Sequence, residues 1–457
     1  MRAIFIAVGL GVLAAVAGGA APGPNGWKAG VAEVRITPPL GTPMAGFSAR
    51  KSPSAGVHDD LFVKALVVER PGAAVALVTA ELIGVDRETV GKIREAAARR
   101  TALAPGNILI SATHTHSGPV AAGSYKEFFA GAAEDAIAQA WEARRPARIA
   151  SGAATHRGWV GMNRRRLESG FSPVDRQVPV LEIADERGRP VAILFNYSCH
   201  AACLGPDNLR ISADWPYFTS ERIRAQLGRD VKVLFFQGTE GNVNTGYSAG
   251  LSAIGVPIAT RTFEYAQEVG ERLGDAILAA LPGLAPAADG AVEARQEKVN
   301  LDYYIPTTLE EADAALARAR EAVRAAEERQ APLVRIQAAR VEAAYAGYSR
   351  ERTARNLKAG PGPYAAEIQA LRIGEAGFVS FPGEFFVEIG LAVKHSSPFR
   401  TTFCLGLAND GISYVPTAEA FPEGGYEVSV ARFAPSTAAR WQEAAARLLA
   451  GLAGPRR

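Results

Sequence analysis

The sequence predicts a single large α/β domain in which mixed β-sheets are flanked by helices, and three observations carry that expectation. Short apolar runs of strand length alternate with amphipathic helical segments from Gly30 to Leu281. Hydrophobic residues make up 48% and charged residues 21% of the 457 positions, a composition that supports a large buried core. Between residues 30 and 457 no linker is strong enough to divide the chain, and no internal repeat is visible.

The first residues read as an export signal. Met1-Arg2 is followed by the apolar run Ala3 to Ala17 and then by small residues, a pattern too short for a comfortable membrane span. Residues 1–20 are therefore expected to be a signal peptide and 21–29 a Pro/Gly-rich linker, giving a periplasmic or secreted protein. The formal net charge is only +3 and no long Lys/Arg run occurs, so nucleic acid is not indicated as a partner. Nothing in the sequence fixes an oligomeric state. Three cysteines, Cys199, Cys203 and Cys404, allow at most one disulfide, and buried small hydrophobes are the simpler reading.

Taken in order, strands are expected over Gly30–Thr37, Leu61–Glu69, Ala74–Thr79 and the residues leading to Ile110, with a helix at Arg87–Arg100 between the last two. A helix at Lys126–Trp141 precedes the run Ala147–Ala150. Val178–Ile183 and Pro190–Phe195 form a buried pair joined by a turn. Trp215–Leu227 reads as a helix, Val231–Phe236 as a third buried strand, and Thr262–Leu281 as a helix. From about 309 to 356 the chain is Ala, Glu and Arg at helical spacing, broken at Pro332, which predicts a surface helical hairpin with a solvated charged face. Strands return at Glu367–Ile373, Gly377–Phe381 and Phe403–Leu407, and a helix from Thr437 to Leu452 closes the chain.

Chemistry concentrates where buried strands end, which is where α/β proteins place their sites. The first such end is Ser111-Ala-Thr-His-Thr-His-Ser-Gly-Pro119. If the segment is extended, His114 and His116 share one face, so one can bind a metal while the other works on a substrate. Other strand ends carry His200, in Asn196-Tyr-Ser-Cys-His200, and Glu384, in Pro382-Gly-Glu384. Imidazoles and a carboxylate with an open coordination position would suit a catalytic Zn²⁺. From spacing alone, scattered structural residues explain the same pattern.

Six motifs in order resemble the neutral/alkaline ceramidases and their bacterial relatives. They are Val31-Ala-Glu-Val-Arg-Ile-Thr-Pro38, Val57-His-Asp-Asp-Leu61, Thr113-His-Thr-His-Ser-Gly-Pro119, His200, Pro382-Gly-Glu-Phe385 and Ile412-Ser-Tyr-Val415, and the resemblance runs from Gly30 to about Tyr426. It implies zinc held by His114, His200, Glu384 and Tyr414. It implies further that His116 assists at the reacting water or oxyanion, that Arg164 supports substrate binding and that Tyr426 donates to the substrate carbonyl.

Two departures qualify the resemblance. The family's Gly-Asp-Val-Ser-Pro, whose serine is proposed as a nucleophile, reads Gly241-Asn-Val-Asn-Thr245 here. Asn244 cannot act as an alkoxide, so zinc-activated water would attack and Asn244 would hydrogen-bond or fix its loop. The chain also ends soon after the motifs, where ceramidases carry a further C-terminal β-sandwich domain. Gly246-Tyr-Ser-Ala-Gly250 fits the nucleophile-elbow pattern, but no strand leads directly into Ser248, so it is read as a loop. Asp59 and Asp214 are read either as orienting ligand histidines or as capping turns. The expectation is an exported zinc-dependent hydrolase of an amide bond in a small molecule or N-acyl lipid, with peripheral membrane contact in the lipid case. The alternatives are a metal-dependent esterase, a non-lipid amidase, or a non-catalytic ligand-binding relative.

Overall fold

The computed structural model describes residues 26–156, 160–165, 173–287 and 290–454. The expected signal peptide, and residues 21–25 of the expected linker, lie outside the described residues. The first strand, β1, spans Lys28–Arg35 and so starts within the stretch read as linker.

The expected mixed α/β architecture is present: a large sheet flanked by helices. Its main strands are β1, β2 (Phe62–Arg70), β3 (Ala73–Ala80), β4 (Ile108–Ala112), β5 (Arg145–Thr155), β6 (Gln177–Asp185), β7 (Pro190–Tyr197) and β8 (Lys232–Gln237), in the spatial order β8-β7-β6-β5-β1-β2-β3-β4. The two-residue strand Ala285–Pro286 adds to β5 as the ninth. The strands that reach the site are buried along most of their length, with β4 buried throughout, which is why they read as continuous apolar runs rather than as alternating ones.

The connectivity occurs twice, although no sequence repeat announces it. In the first half β1, β2 and β3 are antiparallel neighbours, helix α1 (Arg87–Arg100) crosses over, and β4 pairs parallel to β3. In the second half β5, β6 and β7 are antiparallel neighbours, helix α3 (Trp215–Leu227) crosses over, and β8 pairs parallel to β7. Each half is followed by a longer helix, α2 (Gly123–Glu142) and α4 (Phe263–Ala280). α1 and α2 cover one half through Val90, Ile93, Phe129 and Ile137. α3 and α4 cover the other through Trp215, Ile223, Val269 and Ile277. Each such side chain, fully buried, contributes about 2 kcal/mol relative to exposure, so the covering helices fix which sheet face points outward.

The opposite faces of both halves pack together, with Leu66, Leu77, Leu181 and Leu234 in one core cluster, so the sheet curls until its ends meet. Thr79 Oγ1 of β3 donates to Phe235 O of β8 at 2.6 Å. A second sheet completes this core: β9 (Val292–Leu301), β10 (Tyr364–Ile373), β11 (Ala376–Ser380) and β12 (Thr401–Leu405), in that order. The sequence reading missed β9. It is an edge strand, Val292-Glu-Ala-Arg-Gln-Glu-Lys-Val-Asn-Leu301, and its charged positions are those that blunt an edge.

The hairpin is two helices, α5 (Leu309–Glu328) and α6 (Leu333–Lys358), the first opened by a Thr308/Glu311 capping box and the second starting after Pro332. Its surface is mostly solvated, as expected, but the C-terminal half of α6 turns inward and presents Tyr348 to a cavity described below. All three cysteines are free and buried. Among the described residues no helix is long and apolar enough to cross a membrane.

Arg94 of α1 ties the two sheets: it donates to Ile108 O, Glu367 Oε1 and Gln369 Oε1 at 2.8, 2.8 and 3.0 Å. Its removal leaves the largely buried Glu367 with only the longer contacts to Lys298 and Asn409, and Ile108 O and Gln369 Oε1 without this donor, so Arg94→Ala should lower the unfolding free energy by about 3 kcal/mol in urea denaturation. A loss under about 1 kcal/mol would show that apolar packing alone couples the sheets.

Candidate metal centre

The parallel pairs β3/β4 and β7/β8 point their C-terminal ends at the same place, because the curled sheet brings its edges together. The segment Gly406–Asn409, following β12, is stitched between them: Gly406 N donates to Gln237 O, Ala112 N to Leu407 O and Asn409 N to Ile110 O. The two-residue parallel pair Glu384–Phe385 and Tyr414–Val415 lies beside it, with Glu384 in register with Tyr414.

His114 and His116 do converge, with rings 4.8 Å apart, though not as an extended pair. His114 has φ +64°, so the chain turns there rather than alternating. Its Nδ1–H donates to Ile83 O at 2.7 Å, which leaves Nε2 facing inward. His200 is fixed in the same way: Nδ1 donates to Val243 O and Glu240 O at 2.9 and 3.1 Å. Both rings are buried.

Around these two Nε2 atoms the other expected ligands assemble. Glu384 Oε2 lies 3.2 Å from each Nε2, and Tyr414 Oη lies 3.3 Å from that of His200. Four ligands of a tetrahedral zinc at about 2.0–2.1 Å would be about 3.3 Å from one another, so the spacing fits that group. His116 Nε2 is 3.3 Å from His114 Nε2, but this ring is only half-buried and lines a cavity. The arrangement thus separates two enclosed imidazoles from a third that meets the open side. A His114/His116/His200 triad is also close enough to hold an ion.

Arg164 stands against Tyr414. Its Nη2 donates to Tyr414 Oη at 3.2 Å and to Gly241 O at 2.8 Å, and its Nε is paired with Glu427 at 2.7 Å. Burial and the Glu384 carboxylate hold the Tyr414 phenol well above its ordinary value; the guanidinium, kept in place by its ion pair with Glu427, pulls the other way, toward the ionised form that can ligate. Arg164 is therefore both a salt-bridge partner and a cavity wall. Tyr426 also lines the cavity, its ring 5.5 Å from that of Tyr414.

Asn244 reaches the cavity wall, but its polar atoms turn to its own loop: Nδ2 donates to Tyr247 O at 2.7 Å and Oδ1 accepts from the N–H groups of Gly246 and Tyr247. Ser248 accepts from Leu251 N and caps the one-turn helix Ala249–Ala253, which follows it directly where the sequence suggested only loop. Neither aspartate orients a ligand histidine. Asp214 accepts from Cys203, Leu204 and Trp215 N–H groups at 2.8–3.0 Å, and Asp59 accepts from Ser212 Oγ, Ala213 N and the ring of His58. Both are loop clamps. The residue the sequence reading passed over is Glu240, whose carboxylate lies near His114 and Glu384. Its signal was the strand-end position that already singled out the histidines.

The charges are strongly coupled. Burial alone would depress His114, but the facing Glu384 carboxylate outweighs it and the imidazole pKa rises to about 9. Burial and the Arg164 charge push His200 down to about 4. Burial, together with the His114 charge beside it, holds His116 well below its usual value. Burial would raise Glu384, yet His114 holds it well below the carboxylate range. Burial lifts Glu240 to about 8.

Fold and site together define an α/β protein with a buried His/Glu/Tyr centre at converging strand ends. No family model and no curated protein matches the sequence. Among solved structures, the fold is similar to that of neutral ceramidase from Pseudomonas aeruginosa, with a TM-score of 0.70 and 22% identity over 94% of this chain and 74% of that one. It is similar also to a ceramidase complexed with C2, with a TM-score of 0.69 and 19% identity over 94% and 76%.

In the metal-free protein His114 carries a proton at neutral pH, stabilising the fold below the unfolded value near 6.5 and losing that contribution as pH rises through about 9. His200 acts oppositely: it is neutral when folded, so stability falls as pH drops from about 6.5 towards 4. Zinc binding must displace the His114 proton. Calorimetric titration in buffers of different ionisation enthalpy should show at least one proton released at pH 7, with the release falling as pH rises through the His114 value. No release at pH 7 would contradict the His114–Glu384 ion pair.

Proposed function

We propose that this chain is a zinc-dependent hydrolase that cleaves an amide bond in an N-acyl substrate. The observation that carries the reading is the enclosed Nε2/Oε2/Oη cluster opening on one side to a cavity of about 490 Å³, mouth included, with His116, Arg164 and Tyr426 in its wall. His114, His200, Glu384 and Tyr414 would hold the zinc. When bound, zinc supplies Lewis acidity, lowering the pKa of water to about 7 and polarising a carbonyl.

The surrounding residues have states suited to the remaining tasks. His116 is neutral at neutral pH, so its imidazole can take a proton from the attacking water and return it to the leaving nitrogen. Burial raises the Tyr426 phenol above its ordinary value, so it stays protonated and can donate to the carbonyl oxygen as charge develops there. Arg164 braces Tyr414 at one wall of the same cavity. Among the described residues no cavity serine has an imidazole or carboxylate as hydrogen-bond partner: Ser48 Oγ lies 2.8 Å from the Tyr348 hydroxyl. Asn244 has an amide and Ser248 is a helix cap, while Ser252 Oγ accepts from Arg261 and donates to Ser248 O.

The cavity wall favours one narrower reading. Arg261, Ser48, Ser252 and Tyr348 share it with Phe47, a mixed lining that suits a short or polar N-acyl group better than a long uncharged chain. The ester reading uses the same machinery with an easier leaving group. The loss of the family serine motivates the reading as a non-catalytic binder. Export follows from residues 1–20 alone, and the N-terminal mass of protein secreted by cells tests it.

Zinc-loaded protein offered ceramide, short N-acyl amino acids and the corresponding esters should hydrolyse at least one amide, and chelation should abolish turnover. His200→Ala should lose both zinc and activity, and bound substrate without turnover would establish the binding-protein reading. Tyr426→Phe should lower kcat by about 100-fold with little change in KM. A fall of less than about threefold would remove Tyr426 from oxyanion stabilisation.

A further inference from the structure

Glu240 sits on the loop that leaves β8, and its main chain already serves the centre: its carbonyl accepts the Nδ1–H of His200. Its side chain is 0% exposed, and neither carboxylate oxygen has a hydrogen-bond partner among the described residues. The carboxylate is aimed at the cluster, where ligand atoms of Glu240, His114 and Glu384 all lie within 4.8 Å of one another. The backbone makes room for it: a Cβ at Gly406 would meet Gly238 O at 2.0 Å and Glu240 Oε2 at 3.0 Å.

A buried carboxylate without donors, beside a second carboxylate, is costly unless something cationic faces it. The nearby guanidinium groups are engaged elsewhere, since Arg164 and Arg165 both pair with Glu427. Glu384 is matched to the histidine edges. Glu240 shares the neighbourhood of the His114 ring with Glu384, and both its oxygens are left without a donor. A divalent cation there would favour the ionised form of both carboxyl groups and give the unpartnered oxygens an ion to coordinate.

We propose that Glu240 is an additional metal-binding carboxylate of this centre, a ligand beyond the four that the motifs suggest. The inference rests on the reading of the cluster as a metal centre, and the test separates the two. Zinc affinity is measured by competition with a chromogenic chelator, and melting temperature is measured with and without zinc, for the full chain and for Glu240→Gln. The expected result is a loss of zinc affinity of about tenfold or more, while the metal-free melting temperature stays level or rises because the amide replaces a buried acid that has no hydrogen-bond partner. A structural role would lower the metal-free melting temperature and leave affinity alone. If Glu240→Gln does not accumulate as folded protein, Glu240→Asp keeps the charge one methylene short, and weakened zinc binding at an unshifted metal-free melting temperature supports the assignment. Affinity within about twofold of the unaltered chain in either variant overturns it. Failure of the unaltered chain to bind zinc overturns the metal centre itself.

Discussion

Hydrogen bonds from two imidazoles to main chain set the terms for everything around this centre. With Nδ1–H committed to Ile83 O in His114, and to the Glu240 and Val243 carbonyls in His200, each ring turns its Nε2 edge to the interior. Backbone carbonyls do not titrate and do not change rotamer. The ligand geometry is therefore as rigid as the loops that follow β3 and β8, and those loops are as rigid as the sheet that carries them.

That sheet explains why one site gathers residues so distant in sequence. Each half contributes a parallel pair whose C-terminal ends leave main-chain groups unpaired, and curling brings both sets of ends together. Ser111, Gln237 and Asn196 satisfy the exposed carbonyls by side-chain hydrogen bonds, Asn196 Nδ2 alone reaching Phe236, Gln237 and Cys404 O at 3.0–3.1 Å. The segment after β12 fills the remaining gap, with Leu407 and Asn409 at positive φ. Strain at such positions persists only where the surroundings over-determine them, and here they sit between two strand ends.

Much of this was legible in the sequence, for identifiable reasons. The strands are buried runs bounded by turns, and α1 and α3 match their expected spans because Asp86 and Asp214 cap them. His114, His200 and Glu384 stood out because strand ends followed by turns are where side chains can converge. Tyr414 needed the family resemblance, since a phenol in an apolar run reads as core. The repeated connectivity was not legible: pairing order is a property of non-local contacts, and the two halves do not share a motif. β9 was missed because an edge strand is polar for a reason unrelated to its pairing. Glu240 was missed because attention at that loop fell on the replaced serine, not on the carboxylate four residues before it.

The replaced serine is less disruptive than it looks. The Glu240–Tyr247 loop is held by contacts that an asparagine makes as well as any residue can. Asn244 spans three main-chain groups of its own loop, and Val243 pairs with Asn163 across a two-residue ladder. That ladder positions Arg164, whose own N–H donates to Asn242 O. Asn244 thus contributes to the centre at one remove, by fixing the strand that carries the guanidinium to Tyr414. The loop supplies alignment and the enclosed side chains supply charge, with His116 half-buried at the cavity wall beside them.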